Sequence, residues 1–327
     1  MSARDPRQHD DGPGHGTAVL DPSLRPAAGG AAPLPPDVAS EFPFAPHWID
    51  TPAGRMHYVD EGPRRTDPLL CIHGNPTWSF YYRRVISAFG DRRRVIAPDH
   101  IGCGRSDKPQ DWSYRLADHV DNLERLLVEL DLERVTLMVH DWGGAIGLGA
   151  AARQPGRIAR FVIQNSAAFP FDRIPLRIDL CRTPLVGQAL IRGLGAFGRA
   201  TCRMALEKRE RMTPAVRHGY LAPYDSWKHR IANWKFVDDI PMSPRHPSHA
   251  TLAAIDAALP AFRDRPALLC WGERDWCFTP AFRRAWEERL PAAEVHRIEH
   301  AGHLVLEDAH EEIIPWLSAF LEQSPAS

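Results

Sequence analysis

Val135-Thr136-Leu137-Met138-Val139-His140-Asp141-Trp142-Gly143-Gly144 is the stretch on which the fold turns. Val135 to Val139 read as a buried strand, and Gly144 to Arg153 read as a helix of small residues. Between them the chain must turn sharply at Asp141, with small residues where a tight turn needs them. Strand, sharp turn and helix in that order make a nucleophile elbow, and Asp141 stands at the position where a Ser is usual, with His140 in place of the first Gly. A carboxylate at such an elbow attacks carbon directly and forms an ester to the protein. It needs no base to remove a proton, because Asp is ionised at neutral pH. The plainer reading of Asp141 is a cap on the helix that follows.

Outward from the elbow, apolar runs alternate with helical spacing. Trp48 to Tyr58 reads as two short strands around a Pro-Ala-Gly turn. Pro68 to Ile72, Arg94 to Pro98 and Phe161 to Ile163 read as strands, with helices over Trp78–Phe89 and Leu116–Leu130. The alternation breaks between residues 168 and 259, which hold helical stretches and no clear strand. It resumes with Pro266–Trp271, a helix over Pro280–Leu290, a strand near Val295–Ile298 and a closing helix from about Glu311 to Leu321. Strands alternating with helices imply a mostly parallel sheet covered on both faces. The expected organisation is a disordered tail over 1–40, an α/β core over 41–167 and 260–325, and a helical cap over 168–259. An insertion at the carboxyl end of a parallel strand lies over the crevice where such sheets place their sites. The first 40 residues are rich in Gly, Ala, Pro, Asp and His and lack apolar periodicity, so they bury too little to offset their ordering entropy. His9 and His15 there read as solvated residues rather than metal ligands.

In 327 residues, 40 Lys and Arg balance 41 Asp and Glu, so no chain-wide positive field attracts nucleic acid or anionic lipid. No apolar run reaches the 18 residues that a membrane span needs. The six cysteines show neither CxxC pairs nor metal-finger spacing, and Met1 opens no charged-then-apolar leader; a reduced, cytoplasmic setting is expected. No dinucleotide fingerprint opening a βα unit, P-loop or His-Glu-x-x-His is present, so no cofactor or metal is implied.

Downstream of Asp141 two further groups fall in order. Trp271-Gly272-Glu273-Arg274-Asp275 follows the seventh strand, and His300-Ala301-Gly302-His303 follows the eighth. Asp141, Asp275, His303 is the chain order of an elbow-type triad, with His303 the base and Asp275 its orienter. His300 competes with His303 for that role. The position after the sixth strand reads Gln164-Asn165-Ser166 and offers no carboxylate. His73-Gly74-Asn75-Pro76 follows the third strand, where a loop supplies one backbone donor to an anion hole and the residue after the nucleophile supplies the other. Asn75 and Trp142 are therefore expected to frame an anion site, each adding a neutral side-chain N–H. Asn75 as a turn residue before Pro76 is the alternative. The cap is rich in apolar and aromatic residues, from which Phe169, Phe197, Tyr220 and Trp227 are candidates for substrate contact.

With those residues in view, the chain from about Phe42 to Leu321 resembles the haloalkane dehalogenase family of α/β-hydrolases. HGNPTWSFYYR at 73–83, PDHIGCGRSDKP at 98–109 and HDWGG at 140–144 carry the resemblance, together with the acid after strand seven. They are similar to the third subfamily, which also contains the β-lactone decarboxylases of bacterial olefin biosynthesis. QNSAAFP at 164–170, IRGLGAF at 191–197, GYLAPYDSWKHRIANWKFVDDIPMSP at 219–244 and WGERDWCF at 271–278 look more like those decarboxylases. The resemblance implies an eight-stranded α/β-hydrolase fold with a cap after strand six. It also implies conversion of a cis-3-alkyl-4-alkyloxetan-2-one to a cis-alkene and carbon dioxide. By position, Asp141 would be nucleophile, His303 base, Asp275 orienter, and Asn75 with Trp142 the anion-stabilising pair. The same resemblance implies a β-lactone synthetase and a ketone reductase as pathway partners. Alternatives are a haloalkane dehalogenase, an epoxide hydrolase using Tyr220 and Tyr224, and a ligand-binding protein on the same fold.

Overall fold

Runs of Val, Ile, Leu and Cys that are apolar at every position can be buried only where both faces of a strand are covered. The computed structural model describes residues 33–323. Its strands are β1 (Pro46–Thr51), β2 (Gly54–Glu61), β3 (Leu69–Ile72), β4 (Val95–Pro98), β5 (Val135–Asp141), β6 (Ile158–Ser166), β7 (Ala267–Gly272) and β8 (Glu294–Ile298). Among the described residues they form one eight-stranded sheet in the order β1-β2-β4-β3-β5-β6-β7-β8. The β1–β2 hairpin pairs antiparallel with itself and with β4, and every other pairing is parallel. Every residue of β3, β4, β5 and β7 is buried. The edge strand β8 alternates polar side chains and stays largely open to water.

The helices are α1 (Pro36–Glu41), α2 (Arg83–Phe89), α3 (Leu116–Glu129), α4 (Trp142–Arg153), α5 (Leu176–Arg182), α6 (Val186–Gln188), α7 (Ala196–Met204), α8 (Pro214–Leu221), α9 (Ile231–Asp238), α10 (His249–Ala258), α11 (Pro280–Arg289) and α12 (Val305–Glu322). One face of the sheet packs on α3, α4, α10 and α11, through Leu123, Ile146, Ile255 and Trp286. The other packs on α1, α2 and α12, through Val38, Val85 and Ile313.

Three boundaries depart from the sequence expectation. The last residues of the tail expected over 1–40 are helical instead. Its first 32 residues lie outside the described ones, but Pro36–Glu41 is helical and Val38 and Phe42, one helical turn apart, are both buried. The stretch expected as cap over 168–259 divides: α5 to α9 stand over the sheet, whereas α10 returns to the main layer and packs on α3 and α4. The closing helix begins at Val305, not Glu311, with a kink at Ala309. Glu307 and Asp308 look like the polar residues of a loop, yet both are buried and paired.

Glu307 shows how the cap is tied down. Arg83 on α2 donates to both its oxygens, at 2.5 and 2.8 Å, and the Tyr220 hydroxyl on α8 donates to it at 2.5 Å. Burial disfavours the Glu307 charge, but Arg83 and Tyr220 outweigh it and hold the carboxyl below its usual range. Glu307→Ala leaves the buried Arg83 guanidinium without this partner. It is expected to lower the unfolding free energy by about 3–5 kcal/mol, read from urea denaturation, whereas Tyr220→Phe is expected to cost about 1 kcal/mol.

Candidate active site

Because the central strands run parallel, their carboxyl ends meet along one edge of the sheet, where α/β folds place their sites. Asn75 follows β3, Asp141 ends β5, Asn165 lies in the last turn of β6, Asp275 follows β7 and His303 follows β8. Asp141 has φ 53° and ψ −127°, a strained conformation for a residue with a side chain. The Ser166 hydroxyl donates to its carbonyl at 2.5 Å. The chain can cross this closely only beside glycine. A Cβ on Gly143 would strike the Ile72 carbonyl, and one on Gly74 would strike the Asp141 carboxylate.

Asp141 Oδ1 accepts a hydrogen bond from the backbone N–H of Asn75 at 2.6 Å, and the backbone N–H of Trp142 also acts on the carboxylate. Oδ2 lies 3.7 Å from His303 Nε2. His303 Nδ1 lies 2.8 Å from Asp275 Oδ2. Asp275 is held in turn by the Cys277 backbone N–H at 2.6 Å and by the Asn165 Nδ2 at 3.0 Å. Burial raises the Asp141 pKa above the usual Asp value, against the opposing pull of His303 and the two backbone donors. For His303 burial works against the charge, but the pairing with Asp275 and the charge of Asp141 win, so its pKa lies above the usual histidine value. The raised His303 pKa favours an imidazolium facing the Asp141 carboxylate over a wider pH range than an ordinary histidine would allow.

Asn165 is the residue that sequence reasoning passed over. The post-β6 position offers no carboxylate, yet its carboxamide bridges the site. It donates to Asp275 and to the Gly272 carbonyl, and accepts from the Gly272 N–H at 2.8 Å. Its signal was the position itself, where an acid might have stood. His300, the competing candidate, stands away from the carboxyl-end cluster: it is half-buried and pairs with Glu312 at 2.9 Å.

Above Asp141 lies a cavity of about 280 Å³. Asn75, Asp141, Trp142 and His303 form its polar floor, Phe278 and Phe282 one wall, and Ile178, Leu190, Phe197 and Met204 of the cap its roof. Of the four substrate-contact candidates, Phe197 lines the cavity and three do not. Phe169 packs in the core against Trp286 and Phe282, with Arg289 over its ring at 4.1 Å. Tyr220 is committed to Glu307. Trp227 sits half-exposed on the outer cap, with Arg192 stacked on it at 4.6 Å. The expected anion site is also altered in one respect. The backbone donors of Asn75 and Trp142 are engaged by the Asp141 carboxylate itself, which leaves the side chains of Asn75 and Trp142 to face a ligand. One Asn75 N–H is used on the Asn233 carbonyl of α9 at 3.1 Å, leaving the other.

A doubly covered parallel sheet, a strained elbow carrying Asp141 and a His–Asp pair on the next strands define an α/β-hydrolase whose elbow residue is a carboxylate. The chain belongs to the α/β hydrolase fold family, which it matches over residues 67–310. It is 42% identical over 289 residues to the cis-3-alkyl-4-alkyloxetan-2-one decarboxylase of Shewanella oneidensis, covering 86% of this chain and 90% of that one. It is 36% identical over 296 residues to a haloalkane dehalogenase of Mycobacterium marinum, covering 84% and 94%. Among solved structures it is similar to a loop variant of the haloalkane dehalogenase DbeA from Bradyrhizobium elkanii. The TM-score is 0.77 at 26% identity, over 85% of this chain and 96% of that one.

Proposed function

We propose that this protein decarboxylates cis-3-alkyl-4-alkyloxetan-2-ones to cis-alkenes, with Asp141 as nucleophile. The observation that carries the reading is the asymmetry of the Asp141 carboxylate. Oδ1 is held by the Asn75 backbone N–H at 2.6 Å, and Oδ2 faces His303 at 3.7 Å beneath the apolar cavity. The 42% identity to a decarboxylase, against 36% to a dehalogenase over a similar share of its length, favours the lactone over the haloalkane as substrate.

That asymmetry selects the carbon attacked. Attack on the lactone carbonyl would create an oxyanion with no backbone donor free to receive it, and would later need hydroxide to leave. Attack at C4, the ring carbon bearing oxygen, needs neither. The Oδ2–C4 bond forms, the C4–O ring bond breaks with inversion, and ring strain drives the step. The carboxylate so released on C3 meets the neutral N–H groups of Asn75 and Trp142. The bond from C3 to that carboxylate then breaks and carbon dioxide leaves. Its electron pair forms the C3=C4 double bond as C4 releases Asp141 Oδ2. Inversion followed by anti elimination turns a cis lactone into a cis alkene. No water and no net proton enters. His303, as imidazolium, stabilises the carboxylate that Asp141 regains, and Asp275 with Asn165 holds its ring in place.

A dehalogenase on the same residues would instead need neutral His303 to direct water onto the Asp141 ester, with Oδ1 becoming the oxyanion in the backbone hole. The two readings separate by product and by isotope. Purified protein given a cis-β-lactone with two alkyl chains is expected to release alkene and carbon dioxide, with slow or no bromide release from 1,2-dibromoethane. Turnover in ¹⁸O-water is expected to leave the Asp141 peptide unlabelled by mass spectrometry. Hydrolysis of an Asp141 ester would introduce label, and an inert lactone with fast bromide release would make the protein a dehalogenase.

Among the described residues no helix is long and apolar enough to cross a membrane. A cytoplasmic setting belongs to the same proposal. So does supply of the lactone by a β-lactone synthetase acting after a ketone reductase.

A further inference from the structure

The balance of 40 basic against 41 acidic residues conceals a local asymmetry. Between Arg173 and Arg203 six arginines face one carboxylate, Asp179. This stretch is the roof of the cavity. Helices α5, α6 and α7 and the π turn Ala189–Gly193 touch in succession, and their inner residues Ile178, Leu190, Phe197 and Met204 line the cavity. Their outer residues are apolar as well. Leu176 is 84% exposed and Leu185 78%, with Leu180 and Leu194 more than half exposed. Of the exposed large apolar side chains among the described residues, all but Val128 lie between Leu176 and Trp227. A run of exposed leucines confined to one face marks a contact surface rather than chance. Among the described residues Arg177, Arg199 and Arg203 pair with no carboxylate, and Arg173 and Arg177 also edge the cavity.

We propose that the outer face of the cap docks on an anionic bilayer surface, with Leu176, Leu180 and Leu185 entering the acyl boundary and the arginines meeting lipid phosphates. The inference rests on the decarboxylase reading, since a lactone with two alkyl chains and its alkene product both partition into lipid. The docked face then roofs the cavity that would take the substrate. The charge pattern favours lipid over a second copy of the chain, because a twofold contact through this face would set arginines against arginines. Apolar insertion together with electrostatic attraction is the usual pair of signals for reversible surface binding.

The test uses the full chain with vesicles of phosphatidylcholine, with and without phosphatidylglycerol, in co-sedimentation. Binding is expected with phosphatidylglycerol present and is expected to weaken as salt is raised. Leu176→Asp/Leu180→Asp/Leu185→Asp is expected to cut the partition about tenfold or more, while turnover of a short-chain lactone in solution stays unchanged. Arg199→Glu/Arg203→Glu is expected to lose the preference for phosphatidylglycerol. The proposal is overturned if the native chain ignores both vesicles or the leucine variant binds as the native chain does. It is also overturned if those substitutions instead disperse a homodimer or release a protein partner. Vesicle binding without lactone turnover would refute the decarboxylase reading and leave the surface standing; turnover without vesicle binding would refute the surface alone.

Discussion

Asp141→Asn is expected to reduce alkene formation by roughly 10⁴-fold or more, with the fold intact and the lactone still bound. The substitution keeps the shape of the side chain and its Oδ1, so the Asn75 backbone N–H retains its acceptor. What it removes is the charge and the nucleophilic pair on Oδ2. Carbon–oxygen bond formation at C4 then has no partner, since no other carboxylate among the described residues lines the cavity. The loss should fall on kcat and not on KM, because the cavity walls and the Asn75 and Trp142 donors are untouched. A second readout is independent of turnover. His303 is held charged partly by Asp141, so its titration, followed by NMR, should move down toward the ordinary histidine range in the variant. A ligand-binding protein on this fold would show the NMR shift and intact affinity but would have no turnover to lose. Retained alkene formation in Asp141→Asn would remove Asp141 from the mechanism altogether.

What could be read beforehand divides along physical lines. The elbow was legible because a turn this tight leaves a local trace: glycines where chains cross, next to a strand whose run is mostly apolar. The order Asp141, Asp275, His303 was legible because parallel strands bring their carboxyl ends together whatever the loops do. Asn165 was not, since an amide draws attention only when its partner is known, and its partner Asp275 lies 110 residues away. The cap was the hardest part. A helix between a cavity and solvent can be apolar on both sides, so periodicity alone does not separate Ile178, which faces the cavity, from Leu180, which faces out. Tyr220 read as a substrate residue for a related reason: Glu307, the acceptor that fixes it, lay in a stretch taken for a loop.

His303→Gln is expected to lower alkene formation by roughly 10²-fold without abolishing it, and to change the pH profile in a way that separates two mechanisms. In the C4 route the first step is driven by ring strain. The second must expel Asp141 as a leaving carboxylate, and a cation 3.7 Å from Oδ2 favours that expulsion. The imidazolium is therefore the working form. Its pKa lies above the usual histidine value, so the alkaline fall in native activity should come at a higher pH than an ordinary histidine would give. On the acid side activity should fall as Asp141 is protonated, at a pH above the ordinary Asp value because burial raises it. Gln cannot carry the charge, so the variant should lose the alkaline fall and keep the acid one. A hydrolase reverses the sign: it needs neutral imidazole to activate water, its rate climbs as His303 deprotonates, and Gln in that place stops it after one ester per site. The kcat profile of the native protein against that of His303→Gln, with the lactone as substrate, therefore reports whether a proton moves at His303. A rate that rises with pH, or a variant that traps an ester on Asp141, would mean that water takes part and that the elimination route is wrong.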